Sequence, residues 1–359
     1  MSRQKRLVSA RELLALFLIL LLAAALRFCR LYSLPPGLHF DEGFNGVTAR
    51  ALLDGAPLQL FFEDDMGEEP LAIYLLALTL RLAGQEPWDI RLLSAIVGLL
   101  TIPLAWALGR GLLSSRVGGL AAALVLAILY WHVSFSRIGM EPILVPFFIT
   151  LAFAALAWGL NTGRLAAFAL SGLALGGSLY TYKAGYLVPL LAVVYVACAA
   201  VMERGFLRRH GRGLALAAGV TLLVAAPIVV YFITHPTHFL QRPTSVTAPV
   251  QALGDNLFRV LGMFFVEGDA NPRSNLPGRP VLDPFLALLF LLGLGRALLE
   301  TVRGQIRSAL PLLWLAVMVA PSVVTEHAPH FGRTIGATPA VALLCAMGIG
   351  TLLRAGGEG

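Results

Sequence analysis

The sequence predicts an all-α polytopic membrane protein. It would be a single transmembrane domain over 1–359, a bundle of about ten spans with interfacial helices in its first outer loop. Three observations carry this. Hydrophobic residues make up 58% of the chain and charged residues 13%, against about 25% charged in a soluble domain. Mean hydropathy is +0.79. The basic residues sit in short clusters between apolar runs, a pattern of membrane sidedness. The net charge of +7 is therefore no nucleic-acid footprint, and membrane lipids are the expected surroundings.

A basic N-terminus (residues 1–11) leads into the first apolar run. Arg27 and Arg30 follow it without a small-x-small cleavage site, so it reads as an uncleaved first span and not a signal peptide. Helices of about 20 residues cross a bilayer, and on that measure spans fall at 13–29, 92–112, 117–135, 143–160, 165–182, 187–201, 214–233, 282–299, 309–324 and 339–353. The apolar run 71–83 is too short to cross. Pro70 opens it and Gly84 closes it, as expected of a helix lying at the interface. Gly172 and Gly176, at GxxxG spacing, predict close helix packing. Cys29, Cys198 and Cys345 lie far apart in or beside apolar runs, with neither a disulfide framework nor metal-ligand spacing.

Sidedness follows from the arginines. With the N-terminus inside, the clusters around Arg6, Arg110, Arg208 and Arg303 are cytoplasmic, and only Glu12, Glu203, Glu300 and Glu358 of the acids join them. A crossing at 71–83 would turn every later cluster outward, so that run stays on the surface. Two outer segments are long, 31–91 and 234–280. The first contains an amphipathic stretch at 44–53; the second is rich in Pro, Asn and Asp. No internal repeat is visible, which argues against a transporter built from inverted repeats.

Four outer-side groups can carry chemistry. Asp41 and Glu42 lie where the chain leaves the first span. A partly desolvated carboxylate there suits a general base, although Asp41 equally suits a helix N-cap. Arg50, two turns on, is a candidate partner for one of them. Arg137 and Glu141 flank the turn Ser136–Pro142, where an ion pair, an anion contact or a plain interfacial turn all fit. Lys183, one of two lysines in the chain, stands among Tyr180, Tyr182 and Tyr186; it reads as a phosphate partner or as a snorkelling charge in an aromatic belt. Arg333 can hold a phosphate through two nitrogens. The pairs His235/His238 and His327/His330 each supply only two ligands, short of a zinc motif.

In order along the chain, these elements resemble the GT-C-fold glycosyltransferases that use polyprenyl-phosphate sugars. The branch is that of the protein O-mannosyltransferases and the lipid A aminoarabinose transferases. The resemblance rests on Asp41-Glu42 in the first outer loop, Ala49-Arg50 with Gly55, Pro70 opening an interfacial helix, and Arg91-Leu92 with Ser94. It continues with Ser136-Arg137 and Glu141, Lys183 with Gly185, and Arg333 before Pro339. The chain departs from the pattern in carrying Glu69 where the family often has Lys or His.

The resemblance implies a multi-pass membrane enzyme with an extracytoplasmic site and a GT-C-type bundle. It would move a sugar, with inversion, from a polyprenyl-phosphate-linked donor to an acceptor protein, lipid or glycan. Asp41 would be the general base and Glu42 would orient the acceptor or share the proton. Lys183, Arg333 and Arg137 would bind the donor phosphate, with Arg50 and Glu141 in support. No cofactor is required; the aminoarabinose branch suggests a divalent cation held by Glu68 with His235 or His238. The rival expectations are a membrane transporter or flippase for lipid-linked sugars, which usually carries ionisable or helix-breaking residues near the bilayer midplane, and a non-catalytic membrane scaffold.

Overall fold

A computed structural model describes residues 8–64, 67–240 and 247–355, and every extended element among them is helical. Seven helical runs are long and apolar enough to cross a membrane: Asp89–Leu112, Glu141–Thr162, Lys183–Met202, Phe206–Thr234, Pro284–Val302, Ile306–Val323 and Phe331–Ala355. The other three expected spans lie where the sequence put them but as lesser helices. Helix α1 (Ala10–Phe28) carries Arg11, Glu12 and Arg27 within its length. The expected third span breaks into α5 (Arg116–Ile128) and α6 (Tyr130–Phe135). The expected fifth is α8 (Leu165–Gly177) followed by a 3-10 turn. Between α1 and α4 (Asp89–Leu112) lie α2 (Phe40–Leu53) and α3 (Pro70–Ala83). Helix α3 has 14 residues with Pro70 in its first turn, in keeping with a surface helix.

The bundle is a chain of contacts. Helix α10 (Phe206–Thr234) packs on α8, α8 on α7 (Leu144–Thr162), α7 on α4, and α4 on α5. Helix α5 packs on the last helix, and α1 crosses both α4 and α5. Completing the labels, α9 spans Leu187–Met202, α11 Leu253–Gly262, α12 Pro284–Val302, α13 Ile306–Val323, α14 Phe331–Thr334 and α15 Thr338–Ala355. Every residue of α15 from Thr338 to Gly348 is buried, so α15 is the core of the bundle. In lipid, helices associate mainly by close packing, and glycine contacts serve it here. A Cβ on Gly172 would stand 2.4 Å from the Ala217 carbonyl oxygen of α10, and one on Gly176 2.6 Å from Val224 Cβ. The GxxxG spacing is thus the α8–α10 seam.

The break between α5 and α6 positions the site. Leu129 (φ −58°, ψ 112°) leaves helical conformation, so carbonyls in the last turn of α5 lose their helical partners. Arg27, wholly buried, supplies them: it donates to Ala127 O at 3.0 Å and Leu126 O at 3.4 Å, and meets His132 Nδ1 at 2.9 Å. Away from water an unpartnered carbonyl is costly, and one guanidinium covers two. The redirected α6 then delivers the turn 136–141 to the start of α2.

Candidate active site

Helix α2 begins two residues earlier than a cap at Asp41 requires. His39 is the N-cap, its Nδ1 accepting from Asp41 N at 3.2 Å, while Glu42 Oε2 accepts from His39 N at 2.9 Å. This reciprocal capping box leaves Asp41 in the first turn with its carboxylate free of cap duty. Glu42 is the opposite case. It is 1% exposed, accepts from Arg91 Nε at 2.8 Å and Nη2 at 3.1 Å, and accepts from Gly139 N at 2.8 Å. Arg91 also donates to the Pro35 and Gly37 carbonyls. Glu42 therefore ties the first outer loop, α4 and the turn after α6 together. Its oxygens are committed to those donors, which gives it an anchoring role beside the expected one of orienting the acceptor or sharing its proton.

Asp41 faces a cavity of about 110 Å³ that it lines with Glu68, Glu141, Tyr182, Arg273 and His330, among others. Its carboxylate pairs with Arg273 Nη1, brought from 232 positions away. Among the described residues Arg273 Nε is buried without a hydrogen bond, so the guanidinium has donor capacity in reserve. Beside them the Asn45 amide lies between Glu68 and Glu141. With its nitrogen turned toward Glu68, it donates to both carboxylate oxygens (2.8 and 3.2 Å).

Asp269 holds the segment that supplies Arg273. Its side chain accepts from Asn271 N and Phe331 N, each at 2.8 Å, and its carbonyl from Asn275 Nδ2 at 2.7 Å. Burial raises the Asp269 carboxyl above the ordinary range; these N–H groups, the Ser274 hydroxyl and Arg273 draw it back. The same carboxylate thereby joins the second outer segment to the His330 turn.

The remaining expected site residues lie elsewhere. Arg137 donates to the carbonyls of Leu26, Arg27, Cys29 and Leu34, so it clamps the end of α1 and does not face the cavity. Arg50 is exposed, and the carboxylates it was expected to serve pair with Arg91 and Arg273. Lys183 Nζ sits 2.8 Å from Glu69 Oε1, 4.6 Å from the Phe61 ring centroid and 5.7 Å from that of Phe232. Tyr186 hydroxyl donates to the same Glu69 oxygen. Glu69 thus offsets the lysine that was expected to bind phosphate, while its neighbour Tyr182 reaches the cavity. Arg333 donates to Glu326 O at 3.0 Å; Gly332 and His330, not Arg333, line the cavity.

The residues suggested for a divalent cation have other neighbours in this structure. Glu68 faces Asn45, whereas the His235 ring stacks on Tyr231 and His238 Nδ1 lies 2.9 Å from the Tyr231 hydroxyl. Among the described residues no three His, Cys, Asp or Glu side chains form a metal-holding group.

Sequence reasoning missed Arg273 and the structural roles of Arg91 and Asp269, and weighed His330 only as half of a two-histidine pair. One signal was present: Arg259, Arg273 and Arg279 fall in an outer segment, where the sidedness rule disfavours arginine.

Residues 68–231 match the family model described as dolichyl-phosphate-mannose-protein mannosyltransferase. No curated protein matches the chain. Among solved structures, ArnT from Cupriavidus metallidurans in the apo state superposes with a TM-score of 0.66 at 17% identity. That match covers 96% of this chain and 61% of ArnT. The Archaeoglobus fulgidus oligosaccharyltransferase AglB, solved with an inhibitory peptide and a dolichol-phosphate, gives 0.64 at 15% identity over 96% of this chain and 50% of its own. The Saccharomyces cerevisiae Pmt1–Pmt2 protein O-mannosyltransferase complex bound to the sugar donor gives 0.50 at 20% identity, covering 65% of this chain and 34% of the other. The chain thus spans between a third and three fifths of these relatives. It is an integral membrane protein with the GT-C glycosyltransferase fold, and its 68–231 segment matches the dolichyl-phosphate-mannose-protein mannosyltransferase family.

Proposed function

We propose that this protein transfers a sugar from a polyprenyl-phosphate carrier to a hydroxyl-bearing acceptor on the outer side of a membrane, with Asp41 as general base. One observation carries the reading: in a GT-C fold, Asp41 shares a cavity with a cation, Arg273, that has an unspent buried donor. The relatives solved with undecaprenyl phosphate and dolichol-phosphate support a lipid phosphate as the donor's carrier.

The chemistry is a single displacement. The acceptor oxygen forms a bond to the anomeric carbon and gives its proton to the Asp41 carboxylate. The bond from that carbon to the phosphate oxygen breaks, and its electron pair stays on the departing lipid phosphate. A second negative charge develops there, and Arg273 is the guanidinium that would receive it. Arg273 then has two anionic partners in succession. In the resting protein it holds Asp41; with donor bound it turns to phosphate and leaves the carboxylate free to take a proton.

The test is transfer in proteoliposomes with a defined polyprenyl-phosphate-linked sugar. Asp41→Asn keeps the shape but cannot accept the proton, and its rate is expected to fall by about 10²–10⁴-fold. Transfer by Asp41→Asn at the wild-type rate would sink the proposal.

A further inference from the structure

We infer that α11 is a further interfacial helix, seated by one apolar face in the lipid leaflet on the cavity side of the membrane; this seat is independent of the transfer reaction proposed above. The helix has three sides. Asn256 and Val260 are buried, as is Met263 just past its end, and Asn256 Nδ2 donates to the Val323 and Thr325 carbonyls at the end of α13 (3.0 and 3.1 Å). Asp255 and Arg259, one turn apart, form an exposed charged edge. On the remaining side Leu257, Phe258 and Leu261 are exposed, Phe258 at 74%, and Phe265 extends that side by one turn. Residues 257, 261 and 265 recur every four positions, as one helical face requires. An apolar face beside a charged edge suits a helix lying in the membrane surface.

Its depth says what covers that face. Helix α12 has 19 residues, about 28 Å at 1.5 Å per residue. That is close to the hydrocarbon thickness of about 30 Å, so Pro284 stands at the boundary on the cavity side. Phe264 and Phe265, at the end of α11, pack on Phe290 with ring centroids 5.5 and 5.9 Å from its own. Phe290 is six residues into α12, about 9 Å below that boundary. An interfacial helix buries its apolar face about 5–10 Å deep. Around Phe290, α12 exposes Phe285, Leu288 and Leu291, the lipid-facing side of a span, so acyl chains reach the level at which α11 lies. The seat also bears on the cavity. Just past α11 the chain closes a loop, Val281 N donating to Met263 O at 2.9 Å and Leu282 N to Phe264 O at 3.1 Å. Arg273 lies within that loop, so the leaflet that holds α11 also sets the height of Arg273 against the lipid phosphates.

The test uses the full chain in phosphatidylcholine vesicles, with the native cysteines replaced and a bimane probe at Phe258→Cys, Leu261→Cys or Arg259→Cys. Two quenchers are compared, iodide on both sides of the vesicle and nitroxide-labelled phosphatidylcholine. The expected result is loss of fluorescence to the lipid nitroxide at Phe258→Cys and Leu261→Cys, larger with the label near the headgroup than near the chain end. At Arg259→Cys the larger loss should be to iodide. Two positions on the apolar face are read, so that a variant that fails to fold leaves the other to decide. Quenching of that face by iodide and not by lipid overturns the inference, since it puts the face in water. Protection from both quenchers overturns it as well, because a second copy or another protein then covers the face.

Discussion

Without the Glu42 carboxylate, the Arg91 guanidinium would remain 2% exposed with only the Pro35 and Gly37 carbonyls to meet it. Breaking a buried pair from one side costs about 3–5 kcal/mol, because the surviving charge is left uncompensated. Glu42→Ala is therefore expected to lower the melting temperature in detergent sharply, and Glu42→Gln less so, since the amide keeps one acceptor oxygen. A catalytic Glu42 would behave differently, melting as wild type and failing only in transfer. The adjacent Asp41 is the natural comparison, because the arginine it pairs with, Arg273, has a buried Nε with no hydrogen bond among the described residues. The sequence marked these two carboxylates as one unit. Their separation into an anchor and a candidate base depends on Arg91 and Arg273, 49 and 232 positions away, which no local pattern relates to them. Lys183 shows the same limit. Its isolation in the sequence suggested a phosphate partner, but Glu69 meets it from 114 positions earlier.

At the scale of elements, the α8–α10 seam leaves no room for a side chain where its glycines stand. Adding a methyl at Gly172 would put Cβ 2.4 Å from a backbone oxygen that cannot swing aside, so α8 and α10 must part. Gly172→Ala is expected to cost about 1–3 kcal/mol, read as a lower melting temperature. Gly219 on α10 is the control: nothing lies within 4 Å of its would-be Cβ. Gly219→Ala should be neutral or stabilising by about 0.5–1 kcal/mol, since glycine is the poorer helix former. Equal destabilisation of both would show that the seam is not specially tight. This contact was legible beforehand because GxxxG is a local spacing, as was α3 from its length and its flanking Pro70 and Gly84. The break at Leu129 was not legible. Apolar residues run unbroken through 117–131, apart from two glycines, and what holds the break is Arg27, a residue of another helix whose outer position suggested only a span end.

For the whole molecule, the two ends of the bundle carry different sets of charged groups, which makes its orientation testable. Helix α4 has 24 residues, about 36 Å at 1.5 Å per residue, and so holds Arg91 and Arg110 at opposite ends. The Arg91 end contains Glu42, Asp41 and the cavity. At the Arg110 end, Arg110 Nε lies 3.0 Å from Glu12. Arg307 also joins that end, donating to Asn161 at 2.7 Å and Ser114 at 3.1 Å. Arg208 and its neighbours belong to the loop and first turn of α10, whose other end lies beside the outer segments. If basic clusters stay in the cytoplasm, the cavity opens outward. Single cysteines test this in a background where Cys29, Cys198 and Cys345 are replaced. Leu58 is 82% exposed near α2, and Arg208 is exposed at the opposite end. In intact cells a membrane-impermeant maleimide is expected to label Leu58→Cys and spare Arg208→Cys until the cells are lysed. Labelling of Arg208→Cys alone in intact cells would invert the protein and put Asp41 on the cytoplasmic side. The donor would then have to be sought among lipid-linked sugars exposed to the cytoplasm.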